Sequence, residues 1–535
     1  MTTSEEECKA DDHKGRRSEC QGGAAAAAAA TSGGRQRHIL FIGASQKSHI
    51  IHMQGLAEEM ARRGHKVTFA ALESDRNVVT STNSGQKVEF LSAGEPEHDA
   101  AYYGYTHDIV DLFRLCADYS LHLHQALLPV LKQQQDPIDL VVFDHLFWPA
   151  GDAISRDMNA RGVQLYPGLF GLEHLGMEPD YGPMIISGFQ TSDLIGSKNI
   201  PKRLKNFIML RVARNILQTV RYFIFRPVLK ELNISSSNPY GQTKLALHGS
   251  FGGLAEVSRI QHTLSSPLVQ STGPWLPRTT SLSKEVDKFL NSADGPPTVF
   301  VSIGTNANWN SEMSNVMVET IMELQKLKQL KVLWSIKDKD FQEFVSPVMK
   351  KASTSVEELS DTLMVVPFVD QLAVLESDKV VVFVTHCGFG SMQEAIHTAT
   401  PVLAMPMMLE SDQVTNAARL VELGVAEPFD SRPGEDVISS EEMLKKLLAL
   451  ANEKSYHEKA TKLSLASNML EGPRRAAEWL EIEMETGTDV FMVGIENHLS
   501  WIERSSLDCY LILSLVAFVL YKAASKLRSR KHKIR

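Results

Sequence analysis

Short apolar runs alternate with amphipathic stretches along most of the chain, and this alternation constrains the fold more than any other feature. Ile39–Gly43 is a compact apolar run, Ile50, Met53, Leu56, Ala57 and Met60 recur at helical spacing, and Lys66–Ala71 follows Gly64 as a second run. Apolar runs without polar alternation suit strands covered on both faces, as in parallel sheets flanked by helices. The pattern returns at Leu140–Phe143, behind the helical stretch Leu112–Leu131. It continues at Thr298–Ile303, Lys331–Ile336, Leu363–Val366, Lys379–Val384 and Pro401–Pro406, separated by helical segments such as Asn315–Leu327 and Asp412–Leu423. The expected class is α/β with two Rossmann-like domains, 38–272 and 298–455, joined by a linker over 273–297 where Gly273-Pro274-Trp275-Leu276-Pro277 concentrates helix and strand breakers.

Charge and cysteine content remove several function classes. The 55 Lys and Arg against 64 Asp and Glu leave a net charge of −9, so no nucleic-acid partner is expected. Cys8, Cys20, Cys116, Cys387 and Cys509 are scattered and contain no C-x-x-C pair, which points to reduced thiols rather than a disulfide framework or a zinc site.

The two ends differ from the body. Residues 1–37 hold an alanine run, Ala24–Ala30, among polar residues, and read as a disordered arm without a secretion signal. Leu507–Ala524 is apolar and is followed by Lys526, Arg528, Arg530, Lys531, Lys533 and Arg535 without an acid, which predicts a membrane-anchor helix with a basic tail. Lys531 and Lys533 also resemble a dilysine retrieval signal, so the expected location is an endoplasmic-reticulum membrane, crossed once or entered from one side. An anchor without an N-terminal signal leaves the body in the cytosol, and the basic tail favours the cytosol as well. A hairpin-like or interfacial helix, or an N-terminal translocation signal, is needed to reconcile the two. Between the domains, Pro201–Glu231 mixes eight Lys and Arg with Phe207, Phe223 and Phe225, which suits either a solvated basic helix face or a helix lying on a membrane.

The most informative segment is Phe383-Val384-Thr385-His386-Cys387-Gly388-Phe389-Gly390-Ser391-Met392-Gln393-Glu394, an apolar run, a small-residue turn and a helix start. A helix N-terminus offers backbone N–H groups to a phosphate, and Gly388 and Gly390 allow close approach, with His386 and Ser391 as added donors. The local alternative is a capping box made by Ser391 and Glu394, which needs no ligand.

At these residues the chain resembles the UDP-glycosyltransferase family of small-molecule glycosyltransferases. The resemblance covers residues 38–490 and implies the GT-B arrangement, two Rossmann-like domains facing across a cleft. It implies that His386 and Ser391 hold the diphosphate and that Glu394 takes the ribose hydroxyls. Phe368-Val369-Asp370-Gln371 stands where the family has Trp-x-Pro-Gln, so Phe368 would stack on uracil with Gln371 near the ribose. Asp412 and Gln413, followed by Asn416, match the pair that binds donor sugar hydroxyls, and Ser302, Gly304 and Thr305 match a second phosphate-side loop. Tyr456–Glu485 is helical in pattern, and residues 456–490 would cross back onto the N-terminal domain. The chain departs from the family at Phe368 and Asp370, at Gly390, where plant members have Asn, and in a loop before Asp412 that is two residues longer.

The second candidate site follows the first strand, where Gly43-Ala44-Ser45-Gln46-Lys47-Ser48-His49 opens the first helix. Open α/β sheets bind ligands at the carboxyl ends of their strands, and His49 sits at such an end. A helix N-terminus disfavours a positive charge, which suits a histidine that must accept a proton. Asp144, directly after Leu140–Phe143, occupies a matching strand end and is the expected partner, with His52 and His145 as neighbouring competitors. The resemblance gives these two residues the same roles, a histidine base and its aspartate.

The resulting expectation is an inverting transfer of a hexosyl group from a UDP-sugar to a hydroxyl of a small lipophilic acceptor, with UDP-sugar, acceptor and membrane as partners. No metal or other cofactor is expected, since the chain carries no Asp-x-Asp motif placed to hold one. Two other readings compete: a sterol or lipid-carrier glycosyltransferase, and a membrane-bound nucleotide-sugar-binding subunit without catalysis. The sequence assigns neither the sugar nor an oligomeric state.

Overall fold

The computed structural model describes residues 35–43, 47–80, 88–97, 109–166, 219–220, 222–234, 245–249, 269–277, 279–292, 295–304, 309–407, 412–429, 439–487 and 507–533. The N-terminal arm up to residue 34, Thr305 and most of Pro201–Glu231 lie outside these residues.

The first sheet consists of β1 (His38–Ile42), β2 (Lys66–Ala71), β3 (Val88–Ser92), β4 (Leu140–Asp144), β5 (Arg161–Tyr166), β6 (Leu245–His248) and β7 (Val269–Ser271). Every pairing is parallel, in the order β3-β2-β1-β4-β5-β6-β7. The second consists of β8 (Thr298–Ser302), β9 (Lys331–Ser335), β10 (Leu363–Val366), β11 (Val380–Thr385), β12 (Val402–Ala404) and β13 (Ala426–Pro428). It is also parallel, in the order β10-β9-β8-β11-β12-β13. In each sheet the chain starts in the middle, winds outward on one side, then returns to pair the opposite edge of its first strand. The reversal falls between β1 and β4 in one sheet and between β8 and β11 in the other, and crevices at such reversals are where open α/β sheets bind ligands.

The apolar runs form strands because both faces are covered. In β1, Ile39 and Phe41 join one buried cluster with Ile50, Met53 and Leu56, while Leu40 and Ile42 join another with Leu123, Phe143 and Phe147. In β8, Val299 and Val301 face one core and Phe300 the other. A buried Phe contributes roughly 1.5–3 kcal/mol relative to exposure, so continuous apolar strands are the economical solution here.

Trp275 in the linker is fully buried against the first sheet's core and donates from Nε1 to Thr272 Oγ1 at 2.9 Å. The helical stretch from Tyr456 to Glu485 is two helices, Lys454–Leu470 and Gly472–Glu485, broken at Glu471 with φ 45°. Pro473 cannot donate to a continuing helix, and Gly472 lies against the Pro274 carbonyl so closely that a Cβ would stand 2.2 Å from its oxygen. The first helix packs beside Phe389–His397, where Ser464 Oγ donates to the His397 carbonyl at 2.5 Å. The second buries Ala476, Ala477 and Leu480 against the helix Lys47–Arg62, and Arg63 pairs with Glu481 at 2.7 Å.

The expected membrane anchor is a 27-residue helix, Leu507–Lys533, with Leu511–Leu513 and Leu515–Tyr521 among its large exposed side chains apart from Ala517. Among the described residues, no helix is long and apolar enough to cross a membrane.

Candidate active site

At the first reversal, β1 leads into the helix Lys47–Arg62, and β4 ends at Asp144. His49, in the first turn of that helix, places Nδ1 2.6 Å from Asp144 Oδ2. Asp144 is fully buried and opens the short helical turn His145–Phe147, where its Oδ1 accepts from the Leu146 N–H at 2.9 Å. Burial alone would push the Asp144 carboxyl up, but the charges and hydrogen bonds of His49 and His145 outweigh it and hold the group well below the usual carboxylate range. An ionised Asp144 accepts from Nδ1–H, so the His49 lone pair resides on Nε2, the arrangement a general base requires. His145 Nδ1 lies 3.0 Å from Asp144 Oδ1. His52, one turn further on, is buried.

At the second reversal, β11 turns at His386-Cys387-Gly388 into the helix Phe389–His397. Cys387 adopts φ 63°, a left-handed conformation that a side chain rarely takes, so the turn is held rather than relaxed. Asn416 holds it, donating from Nδ2 to the Cys387 carbonyl at 3.0 Å. The helix N-cap is Gly388, and Ser391 lies inside the first turn, so the capping-box alternative does not hold.

His386 is cradled by two glycines. A Cβ on Gly304 would stand 2.7 Å from its Cε1, and one on Gly388 would stand 2.4 Å from its Nε2. Desolvation pushes this imidazole down to about 4, so it is neutral at physiological pH and offers an N–H donor without a charge. Gln371 ties the neighbouring groups together, donating from Nε2 to Ser391 Oγ at 3.1 Å and to Glu394 Oε2 at 2.5 Å. Burial pushes the Glu394 carboxyl up to about 7, with the Gln371 hydrogen bond opposing and Asp370 adding to the rise.

Beside these groups an open pocket of about 120 Å³ is lined by Ser302, Gly304, Trp309, Lys337, Phe368 and Gln371 among others. The Phe368 ring is 78% exposed, which leaves its face available for stacking. Gln413 is buried, and its Oε1 accepts from the Met407 N–H at 2.9 Å. Asp412 begins the helix Asp412–Leu423, but its side chain is outside the description, as is Thr305.

Sequence reasoning missed three features. Trp309 and Lys337 line the pocket; Lys337 follows the end of β9, so the strand-end rule would have found it. Asp370, in place of the family's proline, caps the helix Gln371–Leu375 by accepting from Ala373 N–H and also accepts from Thr280 N–H at 2.6 Å and Oγ1 at 2.8 Å, tying the linker to the pocket. Gly390 faces His52 of the helix Lys47–Arg62, where a Cβ would stand 2.9 Å from the ring Cε1. An asparagine there would collide with His52, which accounts for this departure. Gln393 also donates to the Gly249 carbonyl, so the helix Phe389–His397 contacts the residue that follows β6 of the first sheet.

His49, Asp144 and His145 each bring one metal-capable atom within 4.8 Å of the others, the one such cluster among the described residues. Both histidine Nδ1 atoms in it face the Asp144 carboxylate.

A profile for the family described as UDP-glucoronosyl and UDP-glucosyl transferase matches residues 267–534. The UDP-glucuronosyltransferase 2B33 of Macaca mulatta is 22% identical over 524 residues, covering 90% of this chain and 91% of that protein. The UDP-glucuronosyltransferase 2B15 of Rattus norvegicus is 24% identical over 516 residues, covering 89% and 90%. In fold, the chain is similar to the kitacinnamycin glycotransferase, with TM-score 0.61, 20% identity, and coverage of 84% of this chain and 99% of the other. It is likewise similar to a Polygonum tinctorium UDP-glucosyltransferase solved with 3,4-dichloroaniline, with TM-score 0.59, 18% identity and coverage of 85% and 99%. The two parallel sheets match GT-B glycosyltransferases, and a profile spanning the turn, the pocket and the whole second sheet leaves one family: the chain belongs to the UDP-glucuronosyl and UDP-glucosyl transferases, enzymes that transfer a sugar from a UDP-sugar to an acceptor.

Proposed function

We propose that this enzyme is an inverting hexosyltransferase that uses His49 as general base and Asp144 as its partner, with a small lipophilic hydroxyl compound as acceptor. The observation that carries this reading is the 2.6 Å bond between His49 Nδ1 and the buried Asp144 carboxylate at the first sheet's reversal. The acceptor hydroxyl gives its proton to His49 Nε2 while its oxygen attacks the anomeric carbon. The bond from that carbon to the UDP oxygen breaks, and the pair of electrons leaves with UDP. Asp144 stabilises the imidazolium, and the N-terminus of Phe389–His397 with Ser391 stabilises the charge gathering on the diphosphate. Attack from the back face converts an α-linked donor into a β-glycoside. These groups supply the stabilisation a metal would otherwise provide, so activity is expected to survive a chelator.

Donor contacts are assigned to Ser302, Gly304, Thr305, Phe368, Gln371, His386, Gly388, Gly390, Ser391, Glu394, Asp412 and Gln413. The exposed apolar side chains of the helix Leu507–Lys533 and its basic end support an anchor in a bilayer, single-pass or monotopic, with the basic end at the headgroups. Such a seat favours acceptors that partition into lipid.

The test is UDP release from detergent-solubilised protein with UDP-glucuronic acid, UDP-glucose and UDP-N-acetylglucosamine, against 1-naphthol and a sterol, with proton NMR of the product. Acceptor-dependent release and a β-anomeric product support the reading. An α-anomeric product removes the single-displacement mechanism.

A further inference from the structure

We propose that His145 is a positioning residue for the transfer reaction, fixing the Asp144 carboxylate so that Oδ2 is presented to His49. The inference rests on the reading of His49 as base, and the experiment below separates the two.

The carboxylate is gripped from several sides. Oδ2 meets His49 Nδ1 at 2.6 Å, while Oδ1 accepts from the Leu146 N–H at 2.9 Å and lies 3.0 Å from His145 Nδ1. The same Nδ1 lies 3.3 Å from the Leu165 carbonyl oxygen. Two acceptors on one nitrogen require a hydrogen there, so His145 carries its proton on Nδ1 and acts toward Asp144 as a donor.

Its ring is held as firmly as its proton. It stacks on Tyr166 with centroids 4.4 Å apart and planes at 23°, and His49 lies along the same stack at 5.7 Å. The Tyr166 hydroxyl in turn donates to Gln164 Oε1 at 2.9 Å, so the stack is anchored to β5, the neighbour of β4. His145 is 3% exposed. The ionisable groups facing it are Asp144 on its own segment, His49 from the helix Lys47–Arg62 and Tyr166 from β5.

Without the His145 donor, the carboxylate keeps one fewer partner on Oδ1, can turn about its Cβ–Cγ bond, and concentrates its charge on the bond to His49. That favours a protonated, idle base. The acid limb of the rate profile should therefore move to higher pH, and kcat should fall, while the UDP-sugar site across the cleft is untouched.

The experiment compares His145→Phe, which keeps the ring stack and removes the donor, with His145→Asn, whose amide can replace Nδ1–H. His49→Ala runs in parallel, with UDP-glucuronic acid or UDP-glucose and 1-naphthol. The expected result for His145→Phe is a loss in kcat of about tenfold or more, a donor KM within about twofold, and an acid limb about one pH unit higher; His145→Asn should recover most of the rate and the limb. A wild-type rate and limb in His145→Phe, with His49→Ala inactive, would overturn the inference and leave the base in place. An active His49→Ala would remove the base itself. If the phenylalanine variant does not fold, a folded His145→Asn with collapsed kcat and a displaced limb contradicts the proposal.

Discussion

The two sheet reversals are built alike and equipped differently. Both lie between a sheet's first strand and the strand that re-enters beside it, and both lead from a strand end into a helix. At the first, the chemistry resides in ionisable side chains: a buried carboxylate and the imidazole it orients, 95 residues apart in sequence. At the second it resides in backbone and uncharged donors: glycines pressed against a neutral His386, a strained turn pinned by Asn416, and a helix N-terminus. One crevice is suited to moving a proton and the other to holding an anion, and a sugar transfer needs both. On the proposed reading, the same topology serves two chemistries because the strand-end residues differ.

Breaking the first crevice should have the largest effect. Asp144→Asn, which keeps the shape but removes the charge that orients the base, is expected to lower kcat by about 10³-fold or more with little change in donor KM, measured by acceptor-dependent UDP release. The second crevice should respond in KM. Glu394 needs its ionised form to accept hydroxyls, and burial sets that group at about 7. As pH falls from 8 to 6 the ionised fraction drops about tenfold, so donor KM should rise by about that factor. Glu394→Gln should flatten the dependence, and a flat wild-type profile would remove Glu394 from donor binding. The contact between the two crevices should be steric: Gly390→Ala forces a Cβ into His52 and is expected to lower kcat/KM about tenfold without loss of fold, read by kinetics alongside thermal unfolding. The smallest effect belongs to the linker. Asp370→Ala removes a helix cap and the bonds to Thr280, and should cost about 1 kcal/mol, seen as a Tm drop of a few degrees.

The strands buried on both faces were legible because that burial leaves a mark that needs no partner to read: Lys66–Ala71 and Leu363–Val366 match the structure to the residue, the other expected strands differ by a residue or two at their ends, and Val88–Ser92, Arg161–Tyr166, Leu245–His248, Val269–Ser271 and Ala426–Pro428 were missed. The strand-end rule then pointed to His49 and Asp144, which the fold brings to 2.6 Å. Long-range pairings left no such mark. Asp370 reads as a departure from a motif until Thr280, 90 residues away, is found on it, and Gly390 reads the same way until His52 faces it. The break at Glu471 was missed because the apolar spacing runs on through Gly472 and Pro473, while the reason for breaking, the Pro274 carbonyl, comes from another part of the chain. The C-terminal anchor was expected from composition; Leu507–Lys533 is a helix that exposes large apolar side chains, and among the described residues no helix is long and apolar enough to cross a membrane.

The division of labour between the two crevices is tested most directly by measuring kcat and UDP affinity on the same preparation of His49→Ala. The account predicts a loss in kcat of about 10³-fold or more with UDP affinity within about twofold of the unaltered enzyme. A near-normal kcat, or a loss of UDP affinity that parallels the loss of rate, would contradict it.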